Sequence, residues 1–512
     1  MAKKNRDRFN LHDALASGSY DHAVICTYTF EPVFFEEYCL EKFGALHNNA
    51  NITMIVDQRQ YERAILGPEA QRPRLANLRY LLHPVSVPGV FHPKLILLAS
   101  RRRGKLILGS ANFTLPGITR NAELVGCYEY EEGKSEDTLP LFQAAWGFIA
   151  GASRRWAGNA LDSNLGALIR DAAWLGSTNG EVPRLGYALL NNLESPLWRQ
   201  LTVKVNAAVK TVYILSRYFD AQPDLLERVH QDLQPRKIKI FTQNSITTMT
   251  REWLKHPLVR EGVAEIFLCT YGDGEYSQPL HGKAIILDTG QRCVFAYGSA
   301  NFTSAALLTT AATRNAELLM VFDGLATKDC QPQRICDPND NAELLDNEAM
   351  LLTAPKEDKD DALPDSSAYR ITLLEATLDG ERLSVRAEVS EEVAYDHLLA
   401  KVTFRDNTQA SVTLHPGGQS AYAAGLPEAI AQRLGKSSST LTLEAFTGDV
   451  RVADSNCILI TNLLDIKTGQ NVTRQRHIRE AEQSADQFFS VLRDLSNGSD
   501  DDALKNFLSY CN

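Results

Sequence analysis

The chain has 512 residues, 44% hydrophobic and 23% charged, with a formal net charge of −10. That length builds two or three domains with sizeable cores, and the acidity excludes a surface coated for undirected nucleic-acid binding while leaving room for a local basic groove. No apolar signal stretch follows the basic N-terminus and no uncharged run nears the ~18 residues of a membrane span. Nine cysteines without a Cys-x-x-Cys pair read as dispersed thiols, so the expectation is a cytoplasmic protein with no disulfide framework, zinc site or integral membrane association.

In chain order, residues 23–28 read as a buried strand, 33–43 as a helix and 52–56 as a second strand. The same order returns at 211–215, 224–233 and 238–241, which predicts a duplicated α/β unit. The expected organisation is a first lobe over 1–160, a helical linker over 161–200, a second lobe over 201–330 and an acidic, Pro-punctuated linker or loop over 331–366. A β-rich module, read as a small sandwich from alternating runs such as 382–389 and 440–443, follows over 367–465, and a helical C-terminus over 466–512.

Both lobes carry the same letters. His92-Pro93-Lys94 and His281-Gly282-Lys283 each precede Gly-Ser-Ala-Asn-Phe-Thr, at 109–114 and 298–303, with an offset of 189 residues between copies. Arg-Asn-Ala-Glu-Leu follows at 120–124 and 314–318, where the offset has grown to 194, so the second copy is longer by about five residues. A lone His-x-Lys says almost nothing, and a lone Gly-Ser-Ala-Asn-Phe-Thr is an ordinary turn before a helix. The pairing of the two, twice in register with a carboxylate after each, points to one reaction centre built from two halves.

These strings resemble the signature of the phospholipase D-like superfamily of phosphodiesterases: His-x-Lys, four residues, Asp, then Gly-Ser/Gly-x-Asn. The second copy carries every letter, including Asp288; the first has Ala99 where the Asp stands, and in lacking it is similar to the tyrosyl-DNA phosphodiesterase branch. In both copies the gap before Gly-Ser is about three residues longer than the signature's. The resemblance covers about residues 20–325. It implies two phospholipase D-like lobes packed about a pseudo-twofold axis around a single site, working without a metal ion or other cofactor.

The resemblance also implies roles. One neutral imidazole attacks phosphorus and the other, protonated, serves as general acid and then as base, with His92 expected as nucleophile and His281 as acid. Lys94, Lys283, Asn112 and Asn301, together with the Ser110 and Ser299 hydroxyls, are expected to cradle the phosphate. Glu123 and Glu317 are expected to fix the histidine tautomers, and which histidine each serves is not readable from sequence. Arg101, Arg102, Arg103, Arg154 and Arg155 are candidates for flanking phosphates, with a hairpin tip as the alternative reading of the first three.

The expected activity is that of a metal-independent nuclease acting on DNA or RNA. Standalone relatives suggest a setting in bacterial restriction or phage defence, with a helicase or ATPase partner, or a homodimer, formed through the C-terminal module. The alternatives are a lipid phosphodiesterase or phosphatidyl transferase, and a non-catalytic nucleic-acid-binding scaffold.

Overall fold

The structure, a computed structural model, describes residues 11–16, 18, 20–46, 50–155, 158–176, 186–272, 277–351, 369–418 and 420–463. The helices expected beyond residue 466 lie outside the described residues.

The first lobe has six strands, of which the first, second and fourth are buried at every residue and so covered on both faces. The six are β1 (His22–Thr27), β2 (Asn51–Asp57), β3 (Leu81–Val85), β4 (Leu95–Ala99), β5 (Arg103–Gly109) and β6 (Val125–Glu131). They form a six-stranded sheet in the order β3-β2-β1-β4-β5-β6. β1 pairs with β2, and β2 with β3, in parallel; the other pairings are antiparallel.

The second lobe repeats this layout with β8 (Thr211–Leu215), β9 (Lys237–Thr242), β10 (Ala264–Leu268), β11 (Ala284–Asp288), β12 (Arg292–Gly298) and β13 (Leu318–Ala326). Two further strands, β7 (Tyr187–Asn191) beside β13 and β14 (Glu343–Leu344) beside β10, extend it to an eight-stranded sheet. The duplicated α/β architecture expected from the sequence is therefore present, followed by the expected β-rich region.

The two linkers are not mere connections. Helix Asn159–Asp171 is tied to the first sheet: His22 Nε2 meets Asp171 Oδ2 at 2.9 Å, and Asn51 donates to the Asn164 carbonyl at 3.2 Å. After it, β7 joins the second sheet. Downstream, β14 pairs with β10, and Leu345 and Leu351 are buried in the second lobe's core. Composition hid this, because the few apolar residues that anchor the stretch are spread among acidic ones.

The β-rich module is a nine-stranded sheet running from Ile371–Asp379 to Thr461–Asn462. Its inner face, with Leu383, Val385, Leu398, Ala400, Leu441 and Leu443, belongs to the same apolar core as Tyr61, Tyr80 and Ile25 of the first lobe. Polar ties cross that junction: the Leu459 N–H donates to Tyr61 Oη at 2.7 Å, Asn77 to Thr461 Oγ1 at 2.9 Å, and Ser438 Oγ to the Ala76 carbonyl at 2.7 Å. A second core lies between the lobes and a third covers the outer face of the second sheet. Among the described residues, no helix is long and apolar enough to cross a membrane.

Candidate active site between the lobes

Each His-x-Lys triplet sits where the chain arrives at a central antiparallel strand, β4 or β11. Side chains at neighbouring strand ends hold the approach. Asp57, closing β2, accepts from the Phe91 N–H at 2.8 Å; Gln243, just past β9, accepts from the Leu280 N–H at 2.6 Å. Thr27 Oγ1 and Ser216 Oγ accept from the Phe113 and Phe302 N–H groups at 3.0 and 3.2 Å, fixing the two Gly-Ser-Ala-Asn-Phe turns in the same way. Thr114 and Thr303 then cap the short helices that follow, their hydroxyls accepting from the Gly117 and Ala306 N–H groups.

The lobes join through their repeated strings, crosswise. The His92 N–H donates to the Ala316 carbonyl and the His281 N–H to the Ala122 carbonyl, both at 3.0 Å. Each Arg-Asn-Ala-Glu-Leu string thus lies beside the other lobe's triplet. Glu317 Oε2 consequently meets His92 Nδ1 at 3.0 Å, while Glu123 meets His281 Nδ1 at 2.7 and 2.9 Å through its two oxygens. A carboxylate at Nδ1 holds the proton there and leaves Nε2 for chemistry.

The serines complete these pairs rather than a phosphate cradle. Ser110 Oγ donates to Glu123 at 2.5 Å and accepts from the Leu124 N–H; Ser299 Oγ donates to Glu317 and accepts from the Leu318 N–H. Both are fully buried and occupied as donors, which corrects the expectation that they face the phosphate. Asn121 donates to Glu123 Oε1, which also faces His281, at 3.1 Å, and Asn315 donates to Glu317 Oε1 at 3.2 Å. Their letters recur inside the Arg-Asn-Ala-Glu-Leu string, so that repeat held a signal for them.

Asn192, which no repeat marks, accepts from the Glu317 N–H at 2.8 Å. The extra residues of the second copy explain its place: the Ala311 N–H donates to the Asn192 carbonyl at 2.9 Å, and Asn192 Nδ2 donates to the Thr309 carbonyl at 3.2 Å. The insertion anchors a support that has no counterpart in the first half among the described residues.

Lys94 and Lys283 are 3% and 1% exposed, so their charges need partners. Each ammonium donates to the carbonyl of the histidine in its own triplet, Lys94 at 2.7 Å, leaving further protons for a ligand. Burial draws Lys94 well below the ordinary lysine range and Lys283 down to about 8, opposed in both by Glu123 and Glu317. Burial also lowers both imidazoles, His281 to about 4 with help from Lys283, against the pull of the paired carboxylates. Burial resists ionisation of Glu123 and Glu317, but the facing histidine, lysine and serine outweigh it and hold both carboxyls below their usual range. At neutral pH the substrate-free site holds neutral rings, ionised carboxylates and a mostly charged Lys283. The Oδ1 atoms of Asn112 and Asn301 are buried without a hydrogen-bond partner among the described residues.

The arginine candidates divide. Arg101, Arg102 and Arg103 are exposed at the β4–β5 turn, at the opposite end of those strands from the Lys94–Gly109 end, and Arg102 pairs with Glu132 at 3.0 Å. A five-residue strand spans roughly 17 Å, too far for contact with a phosphate beside the scissile one. Arg154 and Arg155 end helix Leu139–Arg155, and Arg155 pairs with Glu194, two residues past Asn192, at the site's end of the second sheet.

The structure is similar to several solved ones. Yeast tyrosyl-DNA phosphodiesterase matches over 62% of this chain and 86% of its own, at 13% identity and a TM-score of 0.41. Phosphatidylserine synthase of Haemophilus influenzae matches over 66% and 86%, at 12% identity and a TM-score of 0.42. Nuc, a phospholipase D family member from Salmonella typhimurium, matches over 31% and 98%, at 16% identity and a TM-score of 0.24. These likenesses are of fold. No family model and no curated protein matches the chain in sequence.

Proposed function

We propose that this chain is a phosphodiesterase acting on nucleic acid through a phosphohistidine intermediate. The observation that carries the reading is the crosswise arrangement, in which each buried histidine faces a carboxylate from the other lobe beside a buried lysine. In the first step His92 Nε2 attacks phosphorus as the bond to the leaving oxygen breaks, and His281 gives that oxygen its proton. In the second, His281 takes a proton from water, the hydroxide attacks phosphorus, and the phosphorus–nitrogen bond breaks to restore His92.

Lys94 and Lys283, with the amides of Asn112 and Asn301, supply the charge and donors for the non-bridging oxygens. The lysines also account for the acid. Their charges help keep His281 and His92 neutral in the empty site, and a bound phosphate anion offsets them, so binding favours the protonated ring just when a donor is required. Arg154 and Arg155 lie at the same end of the sheets, where a polymer's further phosphates would pass.

The test is incubation with labelled single- and double-stranded DNA and RNA in excess EDTA, alongside His92→Ala and His281→Ala. The expected result is EDTA-resistant cleavage of at least one polymer, lost in both variants. Cleavage that needs a divalent ion and survives the double substitution would overturn the reading.

A further inference from the structure

The two halves match at almost every position that builds the site, but not beside the triplets themselves. β1 pairs with β4 through Cys26 and Leu95, and β8 with β11 through Leu215 and Ala284. Thr27 and Ser216 follow, with the same bond to the turn. One residue further, at equivalent positions next to the two catalytic triplets, stand Tyr28 and Arg217, both partly exposed.

Their settings differ as sharply as their chemistry. The Tyr28 ring lies edge-on to His92, centroids 5.4 Å apart, with the Lys94 ammonium 5.8 Å from its centre. The Arg217 guanidinium is held by the Ile246 carbonyl, which accepts from Nε at 3.0 Å, and lies 4.9 Å over the Tyr218 ring. There its charge opposes that of buried Lys283. A second cation fixed near a buried ammonium is unfavourable in the empty site and becomes favourable when anions occupy both. One phosphodiester supplies a single charge, whereas a nucleic-acid strand brings its next phosphate at short, regular spacing.

We propose that Arg217 binds the phosphate adjacent to the scissile one on the His281 side, while Tyr28 faces sugar and base on the His92 side, so that the site accepts a nucleic-acid strand in one direction only. The proposal rests on the phosphodiesterase reading above and adds substrate polarity to it. An aromatic face suits any base, and a guanidinium suits a phosphate held through two parallel bonds.

The experiment uses the full chain, bis(4-nitrophenyl) phosphate as a diester with no neighbour, and oligonucleotides with one labelled scissile bond. In one oligonucleotide the 5′ neighbour is a neutral methylphosphonate; in another, the 3′ neighbour. Neutralising one side is expected to raise KM about tenfold, the scale of one charge-assisted bond, and neutralising the other to change it little. Arg217→Gln is expected to abolish that difference, to lower oligonucleotide kcat/KM about tenfold more than small-diester kcat/KM, and to flatten the salt slope by about 0.7, with Arg217→Lys intermediate. Equal effects of the two methylphosphonates, or an Arg217→Gln loss as large on the small diester as on the oligonucleotide, would overturn the proposal. An unmodified enzyme that turns over neither substrate would instead overturn the phosphodiesterase reading and this proposal with it.

Discussion

At the residue scale the site is defined by which carboxylate serves which ring. Because Glu317 holds His92 and Glu123 holds His281, the two Glu→Gln variants are expected to fail differently. Glu317→Gln should chiefly slow formation of the covalent intermediate, whereas Glu123→Gln, acting through the ring that is first acid and then base, should slow both its formation and its hydrolysis, so that labelled enzyme persists once formed, each by about 10² to 10⁴. Rapid-quench measurement of labelled protein separates them; identical kinetics in the two variants would count against the assignment. A pH profile tests the lysines. Lys283 is drawn down to about 8, so its charge is fully present below that pH and lost as pH rises through it. With Lys94 drawn down as well, an alkaline limb in kcat/KM is therefore expected no higher than about pH 8, and a limb only above pH 10 would show that the ammonium groups are not desolvated.

At the element scale the Gly-Ser turns are held by contact with the strand that follows. A Cβ on Gly109 would lie 2.3 Å from the Leu124 carbonyl oxygen, and one on Gly298 would lie 2.3 Å from that of Leu318. The serine next to each glycine bonds the carboxylate that faces a histidine, so Gly109→Ala or Gly298→Ala should displace that pair as well as the strand. Thermal denaturation is expected to show a loss of about 1–3 kcal/mol with a larger loss of activity; unchanged melting would mean that the turn is not constrained. Much of this was legible in advance. His-x-Lys, Gly-Ser-Ala-Asn and Glu recur as letters, and apolar runs at 23–28 and 52–56 marked buried strands. Asp57, Gln243, Thr27, Ser216 and Asn192 were not legible, because they act through strand ends that only the folded sheets bring together. The serines were misassigned for a related reason: spacing places a hydroxyl near a site but does not say which acceptor it will face.

At the scale of the whole molecule, crosswise pairing makes the two lobes one unit, since the histidine of each His-x-Lys triplet takes its carboxylate from the other lobe. The β-rich module is equally bound in. Its inner face shares an apolar core with the first lobe, so a chain ending at residue 351 would expose that core instead of shedding an appendage. Such a truncation is expected to melt well below the full chain or to aggregate, as followed by calorimetry and light scattering; a first lobe of unchanged stability would contradict the shared core. Alternation predicted the module's strands, yet period-two patterning carries no information about what an inner face will cover. The measurement that tests the account most directly is recovery of the covalent intermediate. Glu123→Gln enzyme is mixed with labelled oligonucleotide in excess EDTA, quenched and digested, and the labelled peptide is identified. The account predicts an acid-labile phosphoryl group on His92, absent from His92→Ala. Turnover with no label on either histidine, or label that persists in His92→Ala, would contradict it.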